Sequence, residues 1–173
     1  MLYCQSYGVR PVNMGRYADE SMSNYDHMGT LHDTAGNLVA VRYSIYDAGP
    51  DGQDWIDAVE IRFEGATASV YAEPDFDTIR LELGDLTVRE GCYVKSATTV
   101  KPWVAAVGRS PTWIWLLTNQ QGYEDGLRFE FSMSQQEEEL NVITLVAIAS
   151  GIQIFSCHQS KLSVSGVLDD TTA

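Results

Sequence analysis

The 173 residues carry 24 Asp and Glu against 11 Lys and Arg, a formal net charge of −13, and are 45% hydrophobic and 20% charged. A negative field of that size repels phosphate, which excludes non-specific nucleic-acid binding and anionic membrane surfaces and favours a basic protein as partner. Length and apolar content suffice for one domain, 1–173, with one core and no structural metal or disulfide, since a chain of ~150 residues buries roughly 70% of its unfolded surface.

The first 29 residues show no persistent period, with tyrosines scattered among Gly, Ser, Asn and Asp, and are expected to be irregular apart from a short helix around Asp19 to Met28. The segment MLYCQSYGVRPVN lacks a basic region followed by an apolar run. With no stretch of ~18 uninterrupted apolar residues anywhere, the expectation is a cytoplasmic protein without a transmembrane helix.

From Thr30 the pattern turns to strands. Asp33 to Asn37 is a turn, after which Val39, Val41, Tyr43 and Ile45 alternate onto one face. Asp47 to Asp54 breaks the chain with Gly, Pro and Asp. Val59, Ile61 and Phe63 then alternate with Glu60, Arg62 and Glu64. A strand over about Ala68 to Ala72 follows, and beyond the turn at Pro74 to Asp77 the residues Ile79, Leu81 and Leu83 alternate with charged partners. Three strands with such short connections form an antiparallel meander, because parallel neighbours need long crossovers.

A helix is expected from a Thr99 cap to Gly108, with Val100, Trp103, Val104 and Val107 on its apolar face. Strands resume with Trp113, Trp115 and Leu117 on one face, then Leu127, Phe129, Phe131 and Met133 on the next, joined by the loop Asn119 to Gly126. Asn141 to Ala149 and Ile152 to His158 are apolar on both faces and read as central strands around a Ser150-Gly151 turn. A last short strand over about Leu162 to Val167 and a frayed tail, Asp169 to Ala173, complete the chain. The fold class is therefore mainly β or α+β: an antiparallel meander in one curved sheet or two packed layers, with one or two short helices.

Candidate chemistry starts with the carboxylates. Twelve lie between Asp47 and Glu90 against three arginines. Strand alternation sends Glu60, Glu64 and Glu82 outward, Asp51, Asp54, Asp75 and Asp77 extend the charge in adjoining loops, and Asp57 completes the candidate partner-binding set. Such a face suits a basic partner, which would relieve the crowding of like charges. The spacing of Asp47, Asp51 and Asp54 does not match a calcium loop, which also needs a closing glutamate. His27 and His32, beside Asp26 and Asp33, lack a third ligand at a recognised metal spacing.

Cys4, Cys92 and Cys157 are far apart and odd in number, without CxxC spacing. Cys157 and Cys92 read as buried structural residues. Cys157 and His158 are adjacent on a strand, so they point to opposite faces and cannot act as nucleophile and base together. No nucleophile elbow, phosphate loop, zinc motif or dinucleotide fingerprint occurs, so neither cofactor, metal nor catalytic residue is assigned.

The segment Thr112 to Phe131 places Trp113 and Trp115 near the amide-rich loop containing Asn119, Gln121 and Tyr123. Rings supply buried area and amides fix a polar ligand, so these five residues are the candidate ligand pocket. Together with Asp77-Thr78-Ile79, this stretch resembles a family of small uncharacterised bacterial proteins with no assigned activity. The resemblance carries over no functional residue. The leading expectation is a non-enzymatic intracellular interaction module, of the immunity-protein or inhibitor type, covering a basic partner with the acidic surface. The alternative is a small-ligand-binding domain or enzyme with its pocket near Trp113 to Tyr123.

Overall fold

A computed structural model describes residues 22–46, 55–73, 76–132 and 139–160. Helix α1 (Asn24–Thr34) is followed by strands β1 (Leu38–Tyr46), β2 (Trp55–Phe63), β3 (Thr67–Glu73), β4 (Thr78–Leu83) and β5 (Cys92–Ser96). A single 3-10 turn, Trp103–Ala105, precedes β6 (Pro111–Thr118), β7 (Glu124–Ser132), β8 (Glu139–Ile148) and β9 (Gly151–Ser160). Two antiparallel sheets result, ordered β4-β3-β2-β1-β5 and β6-β7-β8-β9. They pack face to face through β2 and β3 against β9 and β4 against β7. The expected class holds, in its two-layer form.

The core follows from the alternation. Val59, Ile61 and Phe63 of β2 and Ile79 and Leu81 of β4 are buried, facing Leu127, Phe129, Phe131, Ile143 and Leu145 of the second sheet. The Phe63 and Phe129 rings meet across the layers at 6.2 Å. Gly65 marks the tightest approach in this half: a Cβ there would stand 2.0 Å from the Thr34 carbonyl oxygen, because the β2–β3 turn packs under the end of α1. Its N–H donates to Ala35 O at 2.8 Å.

Several expectations need correction. The helix begins at Asn24 rather than near Asp19, because Ser23 and Asp26 form a reciprocal cap in which each side chain accepts from the other's backbone N–H. Val39 is exposed, since an irregularity between Leu38 and Ala40 turns Leu38 inward in its place, while Val41 and Ile45 are buried as expected. The helix over 99–108 is one turn: Pro102 has no N–H and keeps its predecessor out of helical conformation, so nothing propagates from Thr99. Trp103 and Ala106 are buried there, whereas Val100, Val104 and Val107 face solvent. Trp103 Nε1 donates to Tyr43 Oη at 2.6 Å, which fixes the indole beneath β1. Burial pushes the Tyr43 phenol above its usual range against the opposing effect of that hydrogen bond.

Among the described residues β9 ends its sheet rather than lying within it, and Phe155, Cys157 and His158 are exposed. Cys157 is thus not buried, and Cys92 is half-buried on β5, which ends the five-stranded sheet among the described residues. The β8–β9 turn is Ala149-Ser150, both at positive φ, one residue earlier than expected. Gly151 belongs to the strand, where a Cβ would lie 2.9 Å from the Trp55 ring. The expected strand over 162–167, the tail and most of the irregular N-terminal stretch lie outside the described residues. No described helix is long and apolar enough to cross a membrane.

Candidate functional site

Two surfaces carry the residues singled out above. The first is the outer face of the five-stranded sheet. Alternation does send Glu60 to that side, yet its side chain is only 2% exposed. Residues 84–91 fold across the sheet and cover it: Leu86 N donates to Glu60 Oε2 at 2.9 Å and Thr87 N to Tyr71 Oη at 2.9 Å. Arg42 grips Glu60 through both oxygens, with Nε to Oε1 at 2.7 Å, and Arg62 stands 3.5 Å from Oε1. Burial by itself raises the Glu60 carboxyl, but the Arg42 pairing, the Leu86 N–H and the nearby guanidinium charges outweigh it and hold the group below its ordinary value of 4.5. The same pairing raises Arg42 above its own ordinary value.

Asp57 is likewise buried and paired, with Arg89 Nη1 at 2.9 Å. Arg89 also donates to Ala72 O at 3.3 Å, and Arg80 bonds Glu73 at 2.7 Å, pairs with Glu82 and lies 4.5 Å over the Tyr71 ring. Glu64 accepts from Asn37 N at 3.2 Å, and Asp77 is exposed at a positive-φ turn. Asp51, Asp54 and Asp75 lie outside the described residues. Much of the acidic face is therefore an internally neutralised arginine and carboxylate lattice. The single-sided count of charges missed Arg42, which comes from β1, outside the acidic stretch.

The second surface is a cleft of about 620 Å³ between α1 and β6, within the roughly 300–1,000 Å³ common for ligand sites. On one wall stand Tyr25, Met28, Gly29 and His32, which the 3.6-residue period of α1 brings to one face. The facing wall is Trp113, Ile114, Trp115 and Leu116, and the carboxylates Glu124 and Asp33 border it. Tyr25 is 68%, Trp113 54% and Trp115 47% exposed, so three aromatic rings are presented to solvent. The Trp113 and Trp115 rings are 6.0 Å apart and tilted, and His32 stacks on Trp113 at 6.3 Å.

Asn24 holds the helix wall in place. Its Oδ1 accepts from Leu81 N at 2.7 Å, and its Nδ2 donates to Ile79 O at 2.9 Å and to Glu124 Oε2 at 2.8 Å. One amide thus pins α1 to β4, the end strand of its sheet among the described residues, and fixes a cleft carboxylate. Of the five residues expected to form a pocket, Trp113 and Trp115 reach the cleft. Asn119, Gln121 and Tyr123 are absent from its walls: Asn119 Oδ1 accepts from Gln121 N at 2.9 Å and Tyr123 N at 3.1 Å, so the loop closes on itself. Sequence reading missed Tyr25, Met28 and Glu124, and did not join His32 to the tryptophans. For the helix residues the signal is the i, i+3, i+4, i+7 spacing of 25, 28, 29 and 32, visible only once the helix is started at Asn24 behind its Ser23 cap; Glu124 had no such signal.

Gly29 lies mid-helix with nothing within 4 Å of where a Cβ would be. Gly29→Ala should raise stability by about 0.5–1 kcal/mol through helix propensity, read as a higher denaturant midpoint with an unchanged slope. Gly29→Leu, in contrast, would fill the cleft.

The model of a family of unknown function (DUF6334) matches residues 22–161. No curated protein and no solved structure matches the chain.

Proposed function

The chain belongs to DUF6334, a family of unknown function, and we propose that it is a binding module whose α1/β6 cleft receives a Lys or Arg side chain of a basic protein partner. The observation that carries this is the composition of the cleft: exposed Tyr25, Trp113 and Trp115 beside Glu124 and Asp33. An aromatic ring face attracts a cation through its quadrupole by about 0.5–2 kcal/mol, and a flanking carboxylate adds direct attraction. A net charge of −13 steers basic partners toward the molecule. The lattice around Glu60 supports a different role for the acidic strands, since its carboxylates already have guanidinium partners.

Calorimetric titration with an acetylated lysine-rich peptide tests this. Trp115→Ala should weaken binding about tenfold while leaving the unfolding midpoint nearly unchanged, because the ring is half exposed. Affinity should also fall with salt, as screening shortens to ~8 Å at 0.15 M. Equal affinity for the wild-type protein and Trp115→Ala would contradict the reading.

A further inference from the structure

The walls of the cleft contain consecutive residues of one strand: Trp113, Ile114, Trp115 and Leu116 all line it. Neighbouring strand residues point to opposite faces, so a pocket resting on a sheet face touches alternate positions only. Consecutive positions are reached along a strand's edge. β6 is the end strand of its sheet, bonded to β7 on one side, and among the described residues no strand pairs with the other side. That open side faces α1 across the cleft. An unpaired strand edge offers a row of N–H and C=O groups to another chain.

Resting on the reading of the cleft just given, we propose that the partner's basic segment binds in extended form, as an added strand paired with the free edge of β6. Main-chain hydrogen bonds then supply affinity, and alternate side chains supply specificity. Residues of the added strand on the outer side would neighbour Trp113 and Trp115, and those on the inner side would neighbour Ile114 and Leu116 beside Met28. Ile114 is buried and the two indoles are exposed. The segment recognised is therefore one that alternates Lys or Arg with Val, Ile or Leu, the cations lying over the indoles near Glu124 and the apolar side chains entering between β6 and α1. The negative charge of the chain and the two bordering carboxylates fit that occupant rather than a second copy of this protein.

The test uses the full chain and three peptides: acetyl-Val-Lys-Val-Arg-Val-Lys-amide, the same peptide N-methylated at its three valines, and the same peptide N-methylated at its three basic residues. Methylation removes the N–H groups from one edge of the extended peptide and leaves every side chain. One methylated isomer should lose at least about tenfold in affinity while the other binds like the parent, since only one edge pairs with β6. Hydrogen exchange should show alternate amides of 112–118 unprotected in the free protein and protected with the parent peptide. Two isomers that both bind like the parent, or both fail, would overturn strand addition and leave cation binding by the cleft standing. Amides of β6 already protected in the free protein would overturn it too, because another part of the chain or a second copy then fills the edge. If the parent peptide binds Trp115→Ala as well as wild type, the cleft reading itself has failed.

Discussion

Glu60→Ala should destabilise the protein by about 3 kcal/mol, near the low end for breaking a buried ion pair. The carboxylate is 2% exposed and accepts from Arg42 and from Leu86 N, so its removal leaves a covered backbone N–H without an acceptor and unties residues 84–91 from the sheet. The cost stays at the low end because the Arg42 side chain is 40% exposed and recovers water. The effect also depends on pH. A carboxyl held below its ordinary 4.5 in the folded protein stabilises the fold above that pH, and the stability is lost as pH falls through the lower folded value. Wild type should therefore lose stability on acidification below about 4.5, and Glu60→Gln should lack this component while starting from a lower plateau. Urea denaturation between pH 3 and 7 measures both. Asp77→Asn, at an exposed positive-φ turn that Asn tolerates, should stay within about 0.5 kcal/mol of wild type.

Asn24→Ala should cost about 2–3 kcal/mol, the sum of three net hydrogen bonds at roughly 1 kcal/mol each. More telling is where the loss appears. The amide joins α1 to Leu81 N, Ile79 O and Glu124 Oε2, and without it α1 retains its Ser23–Asp26 cap and the packing of Leu31 but loses its clamp to β4. Hydrogen exchange should accelerate first in α1 and only later in β2 and β3. Binding of the lysine-rich peptide should weaken in the same variant, because one wall of the cleft and the position of Glu124 depend on the clamp. An unchanged α1 would show that helix packing alone holds it.

The meander was legible because Val59, Ile61, Phe63, Ile79 and Leu81 obey a strict period of two, and all five are buried. Where the pattern misled, a neighbour distant in sequence decided the outcome. Glu60 has the right parity for solvent, but residues 84–91 return over it, and no local pattern announces such a cover. Ile152 to Phe155 are apolar enough for a central strand, yet among the described residues β9 ends its sheet. The site divided along the same line. Trp113 and Trp115 stood out by type, whereas Tyr25 and His32 join them only through the packing of α1 against β6, and Glu124 comes from the next strand, β7, where Asn24 holds its carboxylate. The loop residues Asn119, Gln121 and Tyr123 were grouped with the tryptophans by proximity in sequence, and an amide that satisfies its own turn kept them apart.

The central claim is that the α1/β6 cleft, not the carboxylate lattice, is where a basic partner is received. The indole N–H signals of the four tryptophans give the most direct test. On titration with the lysine-rich peptide, the resonances of Trp113 and Trp115 should shift together and saturably, while that of Trp103, which is fully buried and bonded to Tyr43, stays in place. Saturable binding with the Trp113 and Trp115 signals unmoved, and shifts confined to the backbone amides of Leu86 and Thr87, would contradict the account.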